Sequence, residues 1–245
     1  GWEYHLVDEG WKKWGRSLPE SMDKVAQLAS YAAGKNVGIW VWVRWSDVNN
    51  PANDWENMRS FFGTLSKTGI RGIKIDFMDS ASQERLAFYD AVAENLAKNK
   101  LMVNFHGANT PTGEERSWPH EMSREGIYGG EQNIWAAIGG QHYCALPFTR
   151  LVSGHADFTG GYFGHGPKLR GSSWTLQMAA NIIYTSPMLH WVSNPADMEA
   201  AFPKDSPERE VVRNIPSVWE ETIVLPPSAI GECAAFARRS GNQWY

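Results

Sequence analysis

The sequence predicts a (β/α)8 TIM barrel that lacks its first strand, followed by the start of a C-terminal β-domain. β-rich runs alternate with helical stretches at roughly 30-residue spacing, the mark of α/β architecture. Each β-run closes on polar residues, as barrel strands do at the end where chemistry sits. The alternative, a doubly wound open sheet, is disfavoured because no Gly-rich phosphate loop follows the first run.

The elements follow in order. A strand over 4–7 ends in the polar loop Asp8-Glu9-Gly10-Trp11. A helix fits 19–33, with Ser17 as cap, Pro19 in its first turn and Gly34 as stop. The run 37–45 is β-rich and opens into a loop of Asn, Asp and Pro. A helix over 55–67 then leads to Arg71-Gly72-Ile73-Lys74-Ile75-Asp76-Phe77-Met78-Asp79. In a strand, side chains alternate, so Lys74 and Asp76 share one face and Ile73, Ile75 and Phe77 the other. A helix over 83–99 precedes a fourth strand over 101–107. Past a polar loop at 108–120, short strands are expected at 124–131, 151–158 and 188–192, with helices over 173–184 and 207–218. That makes about seven parallel strands where a closed barrel needs eight. The missing one is expected upstream of Gly1, inside a longer protein. From 222 the character changes: Cys233 to Arg239, a Ser-Gly-Asn turn and Gln243-Trp244-Tyr245 read as two strands joined by a turn. The expected division is therefore a partial barrel over 1–221 and the opening strands of a truncated β-sandwich over 222–245.

With 245 residues, 42% apolar and 20% charged, the chain has ample length for one sizeable core. The net charge of −4 and the lack of a basic stripe argue against a nucleic-acid partner. No run approaches the roughly 18 apolar residues of a membrane span. Cys144 and Cys233 lack metal-ligand spacing and do not identify a redox compartment. The 13 Trp and 23 Gly are unusual; Trp in the company of Asn, Asp and Gly suits a protein that stacks sugar rings, and buried Trp is the plainer account.

The polar strand ends carry the functional signal: Asp8 and Glu9, Arg44 and Asp47, Asp76 and Asp79, His106, Glu125 and Glu131, then His155 and Asp157. One such residue is unremarked, but six ends in succession ring a pocket. Carboxylates dominate it, and paired carboxylates on a barrel point to glycoside hydrolysis. A lysine beside Asp76 favours the charged carboxylate, the form a nucleophile requires. Plainer readings stand beside these: a strand-end salt bridge for Lys74, pairing of Glu125 with Arg124 or Arg150, and a loop-capping role for Asp8. His106 and His155 suit hydrogen-bonded wall residues or sugar-hydroxyl contacts.

Lys74-Ile75-Asp76-Phe77-Met78, Met102-Val103-Asn104-Phe105-His106-Gly107 with Pro111-Thr112-Gly113, and Arg124-Glu125-Gly126 with Glu131 resemble glycoside hydrolase family 97. Leu6-Val7-Asp8-Glu9-Gly10-Trp11 and Phe236-Ala237-Arg238-Arg239 extend the resemblance over nearly the whole chain. It implies a barrel between N-terminal and C-terminal β-domains, in an exo-acting, calcium-dependent α-glycosidase exported by bacteria, periplasmic or secreted. Its retaining members place the nucleophile at Asp76 and the acid/base at Glu131. Its inverting members carry a base glutamate directly after Phe-His; that position here is Gly107, so the resemblance implies retention, and with it an α-galactosidase rather than an α-glucosidase. Substrate contacts are expected from Asp8, Glu9, Lys74, His106 and His155. Ca2+ is expected near Glu125 and Glu131, with a further ligand from the N-terminal domain. Two glutamates fill little of a shell of roughly six to eight oxygens, and a bound cation opposes a proton-donor role for Glu131. A retaining pair requires carboxyl groups about 5–5.5 Å apart. An α-glucosidase and a carbohydrate-binding barrel without chemistry are the alternatives.

Overall fold

The computed structural model describes residues 2–161, 163 and 169–245; the strand expected upstream of Gly1 lies outside them. The chain divides into two compact units, Gly1–Asn109 with Gly113–Arg124, and Thr110–Thr112 with Glu125–Tyr245.

The first unit is a parallel sheet whose strands follow one another in chain order: β1 (Tyr4–Val7), β2 (Gly38–Arg44), β3 (Gly72–Asp76), β4 (Met102–Phe105) and β5 (Glu121–Arg124). A doubly wound sheet would reverse its order at a switch point, whereas unbroken succession is the order of a (β/α)8 barrel. Helices α1 (Leu18–Ala33), α2 (Ala52–Ser66) and α3 (Gln83–Lys98) make the first three crossovers. Ser17 caps α1 by accepting from the Glu20 amide at 3.3 Å, and Ser82 caps α3 from the Arg85 amide at 3.4 Å, satisfying donors that a helix start leaves open. In α2, Asn53, Asp54 and Trp55 are left-handed, so the right-handed helix begins only past Trp55, close to the expected start.

Alternation sorts the strands into two faces. Ile39, Val41, Val43, Ile73, Ile75, Val103 and Phe105 pack with Val25, Phe62, Phe88 and Leu96 of the helices. Each such side chain, fully buried, contributes about 1.5–3 kcal/mol, several times an exposed ion pair. Trp40, Trp42, Gly72, Lys74, Asp76 and Asn104 take the opposite face, with Trp42 level with Lys74 and Arg44 with Asp76. A Cβ on Gly72 would lie 2.4 Å from the Trp40 ring, so this glycine makes room for the indole. The expected place of Phe77 with Ile73 and Ile75 is corrected. Phe77 adopts a left-handed φ of 64°, which breaks the alternation, and Met78 enters the core in its stead while the Phe77 ring is exposed.

The fifth strand also needs correction: it is Glu121–Arg124, ahead of the expected 124–131. A bulge between Val103 and Asn104 matches Val103 to Glu121 and Asn104 to Ser123. The extra residue, Met122, brings Glu121 and Arg124 onto one face. There Arg124 Nε donates to Glu121 Oε1 at 2.5 Å, pairs with Glu114 at 3.3 Å and covers the Tyr89 ring. Burial pushes the Glu121 carboxyl above its ordinary value against the opposing pull of Arg124, and pushes Tyr89 up to about 12.

In the second unit the expected strands at 151–158 and 188–192 are not formed as strands. Arg150–Ser153 is a 3-10 turn, and a single parallel bridge joins Gly160 to Trp191. Helices α4 (Gly140–Ala145), α5 (Trp174–Ile183), α6 (Pro195–Ala201) and α7 (Pro207–Asn214) surround two apolar clusters, one around Phe158 and Tyr184, the other around Phe163 and Phe202. Helix α7 stops short of the expected 218. Ser173, Asn194 and Ser206 cap α5, α6 and α7. Strands β6 (Glu221–Val224), β7 (Phe236–Ser240) and β8 (Gln243–Trp244) form an antiparallel sheet; its β7–β8 hairpin is the one read from the sequence, and β6 adds a third strand. No described helix is long and apolar enough to cross a membrane.

Candidate active site

The first unit carries Asp76 at the end of β3, its side chain 17% exposed. Both carboxylate oxygens are held. Trp42 Nε1 donates to Oδ2 at 2.9 Å, and the Phe77 amide donates to Oδ1 at 2.7 Å. Lys74 Nζ stands 3.7 Å from Asp76 Oδ2 and donates to Asp8 Oδ2 at 3.1 Å. Lys74 is buried and Asp8 exposed, so one ammonium bridges a sheltered carboxylate and an open one. The bridge has a simple origin, because Lys74 and Asp76 lie two apart on one strand face and β1, which leads into Asp8, is separated from β3 by β2 alone. Asp8 also accepts from the Glu9 amide at 2.8 Å, a local contact of the kind the loop-capping reading expects. Glu9 is exposed on the same loop.

Trp42 joins this cluster through a contact that the sequence reading does not assign, although alternation along β2 places it on the face of Lys74 and Asp76 once β2 and β3 are paired in parallel. Its own position is anchored, since Trp11 Nε1 donates to the Trp42 carbonyl at 2.6 Å.

β3 and β4 continue to pair beyond their last strand residues. The His106 amide donates to Ile75 O at 2.8 Å, and the Asp79 amide to Gly107 O at 2.7 Å. This holds buried His106 on the strand next to Asp76. Gly107 has φ 54°, and a Cβ there would lie 2.5 Å from Asp79 Oδ1 and 3.2 Å from the Met78 amide. A side chain at this position would require Asp79 and the adjoining backbone to shift, and glycine brings no carboxylate of its own.

The second unit carries Glu125, Glu131 and His155. Arg150 organises the backbone around them, donating to Gly126 O at 2.6 Å, Glu125 O at 3.2 Å, Gly154 O at 3.1 Å and His155 O at 2.9 Å. Glu131 stands in a 3-10 turn, Gly130–Ile134. Its amide donates to Thr159 Oγ1 at 3.3 Å, and the Gly130 amide to Phe158 O at 2.6 Å. Cβ atoms on Gly129 and Gly130 would approach carbonyl oxygens of Phe158 and Thr159 to 2.6 Å, so the turn depends on both glycines. A carboxylate oxygen of Glu125 and one of Glu131 lie within 4.8 Å of each other. Two half-buried carboxylates at that spacing are hard oxygen donors and fit one edge of a calcium shell. His155 is exposed. A second pair unforeseen as such is Asp157, fully buried, with Oδ2 2.6 Å from His190 Nδ1.

The chain thus gathers Asp8, Lys74 and Asp76 in one unit, and Glu125 with Glu131 in the other. A family model described as Glycoside hydrolase 97 matches residues 1–127, just over half of the chain. A probable retaining alpha-galactosidase of Streptomyces bingchenggensis is 34% identical over 251 residues, and a retaining alpha-galactosidase of Bacteroides thetaiotaomicron is 31% identical over 264. Both alignments cover the whole of this chain, which spans 38% of the length of either relative. Among solved structures, a beta-arabinopyranosidase aligns with a TM-score of 0.80 at 24% identity, over 99% of this chain and 40% of that one. A family 97 enzyme from Pseudoalteromonas sp. strain K8 in complex with panose aligns with a TM-score of 0.81 at 23% identity, over 99% and 41%. These likenesses identify the fold as that of a partial TIM barrel with the start of a β-sheet domain. The ordered strands, the held aspartate and the matching family model lead to one conclusion: the chain belongs to glycoside hydrolase family 97.

Proposed function

We propose that this chain supplies the catalytic barrel of a retaining, exo-acting α-galactosidase. Asp76 attacks the anomeric carbon while Glu131 protonates the leaving oxygen, giving a covalent glycosyl-enzyme; Glu131 then deprotonates water, which releases the sugar with net retention. The observation that carries this reading is the setting of Asp76. A carboxylate that receives an indole N–H and a backbone N–H, with an ammonium 3.7 Å away, is fixed in direction and poised as a nucleophile. Lys74 and Asp8 then meet sugar hydroxyls, with Glu9, His106 and His155 as further contacts. Gly107 carries no carboxylate to serve as a base, which supports retention over inversion.

Calcium belongs to the same reading, near Glu125 and Glu131 and with a further ligand from an N-terminal β-domain; because direct ligation would oppose proton donation, Glu125 is the residue that would hold it and Glu131 keeps the acid role. When bound, the ion would supply positive charge that draws sugar oxygens into register. Residues 222–245 would open a C-terminal β-domain, and the protein would work in the periplasm or outside the cell, which fractionation of the producing bacterium checks.

Hydrolysis of p-nitrophenyl α-galactoside and α-glucoside, with and without a chelator, tests the substrate and the ion, and the name of one solved neighbour adds an aryl β-arabinopyranoside to the panel. Replacing Asp76 by Gly and adding azide tests the mechanism. Rescue to a galactosyl azide of inverted configuration supports nucleophilic attack by Asp76; an Asp76→Gly variant that keeps full hydrolysis would remove the nucleophile from this account.

A further inference from the structure

The residue after the candidate nucleophile is in the wrong place for a core side chain. Strand alternation assigns Phe77 to the face of Ile73 and Ile75, where a phenyl ring would be buried. Instead its backbone is left-handed, at φ 64°. That conformation is strained for an aromatic L-residue and costs glycine nothing. The twist turns the ring out of the core to 43% exposure. It comes to rest edge-on to Trp42, with centroids 6.1 Å apart and planes at 83°. Trp42 is the residue whose N–H holds Asp76. The Arg44 guanidinium lies 4.6 Å from the Phe77 centroid and braces the ring from β2, where Arg44 is level with Asp76. The fold thus gives up both burial and a relaxed backbone to present an aromatic surface beside the reacting carboxylate. Such expenditure is found where strain serves a site.

We infer that Phe77, braced by Arg44 and Trp42, is a substrate-binding platform on which the apolar face of a pyranose ring stacks as its anomeric carbon meets Asp76. A pyranose presents axial C–H groups on one face, and these carry a small positive charge that the negative face of an aromatic ring attracts. Asp8 and Lys74 supply the polar contacts that fix orientation. An apolar wall with a few convergent polar groups is how small-molecule sites are built. The inference rests on the glycosidase reading for its reaction and on the geometry of Phe77 for its place.

Phe77→Gly is the decisive variant, because glycine accepts the backbone conformation and only the ring is lost. In the protein expressed from its complete reading frame, its KM for p-nitrophenyl α-galactoside should rise about tenfold with a smaller change in kcat. Its thermal midpoint should be unchanged or higher, and Phe77→Tyr should restore the wild-type KM. A Phe77→Gly enzyme with wild-type KM overturns the platform and leaves the nucleophile reading standing. Calorimetry with methyl α-galactoside and methyl α-glucoside in the Asp76→Asn background separates binding from chemistry. Sugar binding that depends on Phe77 in a protein hydrolysing no α-glycoside would keep the platform and sink the reaction. Failure to bind either sugar would sink both.

Discussion

Replacing Trp42 by Phe should slow catalysis without abolishing it. The substitution keeps an aromatic ring on the inner face of β2 and removes one N–H, the donor lying 2.9 Å from Asp76 Oδ2. A hydrogen bond to a charged group is worth about 1.5–3 kcal/mol net. At about 1.36 kcal/mol per factor of ten, this corresponds to a kcat loss of about 10- to 150-fold if the bond acts by orienting the nucleophile. KM should move little, since the donor touches the enzyme's own carboxylate. The smaller ring leaves a void and should also cost about 1–3 kcal/mol of stability. Trp40 is the internal control. It is buried on the same face, and its Nε1 is buried with no hydrogen-bond partner among the described residues. Trp40→Phe opens a similar void but removes an unsatisfied donor, so stability should fall less and kcat should hold. Steady-state kinetics on an aryl galactoside and urea unfolding of both variants make the comparison. Equal kcat for Trp42→Phe and wild type would refute the orienting role. Equal kcat losses in the two Trp variants would show that the effect is one of packing.

Three further outcomes follow from particular contacts. Gly107→Ala places a Cβ 2.5 Å from Asp79 Oδ1 at a positive φ and should destabilise by about 1–3 kcal/mol in urea unfolding, where a neutral result would count against the β3–β4 extension as described. Arg124→Met leaves Glu121 buried without its closest partner and should cost about 3–5 kcal/mol at neutral pH. Burial already raises the Glu121 carboxyl, so the folded variant takes up a proton at higher pH than the unfolded chain; its deficit should shrink as pH falls through that raised value towards the ordinary carboxylate range, and a deficit independent of pH would exclude Glu121 as the cause. Gly130→Ala drives a Cβ to 2.6 Å from Thr159 O and displaces the turn that bears Glu131. Its hydrolysis of a substrate with a poor leaving group should fall more than that of an activated aryl glycoside, and equal losses on both would argue that Glu131 does not act as the proton donor.

By itself, the sequence determined what local chemistry controls. Ser17 marks a helix start because its hydroxyl satisfies an amide three residues on, as Ser82, Ser173 and Ser206 also do in the structure, and β2 to β4 announce themselves as short apolar runs between helical stretches. Lys74 and Asp76 share a face for the same reason, since a period of two needs no tertiary partner. Tertiary structure decided wherever one residue broke that period. A single left-handed residue moved Phe77 from the core to the side of Asp76 and sent Met78 inward. One extra residue opposite Val103 and Asn104 shifted β5 and created the Glu121–Arg124 pair. Segments 151–158 and 188–192 have strand composition, yet among the described residues the pairing here is one bridge, from Trp191 to Gly160 just beyond the first segment, because a strand exists by virtue of its neighbour. Trp42 belongs to the same class of fact: its ring is legible in the sequence as a large apolar group, but its N–H acquires meaning only when the pairing of β2 with β3 brings Asp76 within its reach.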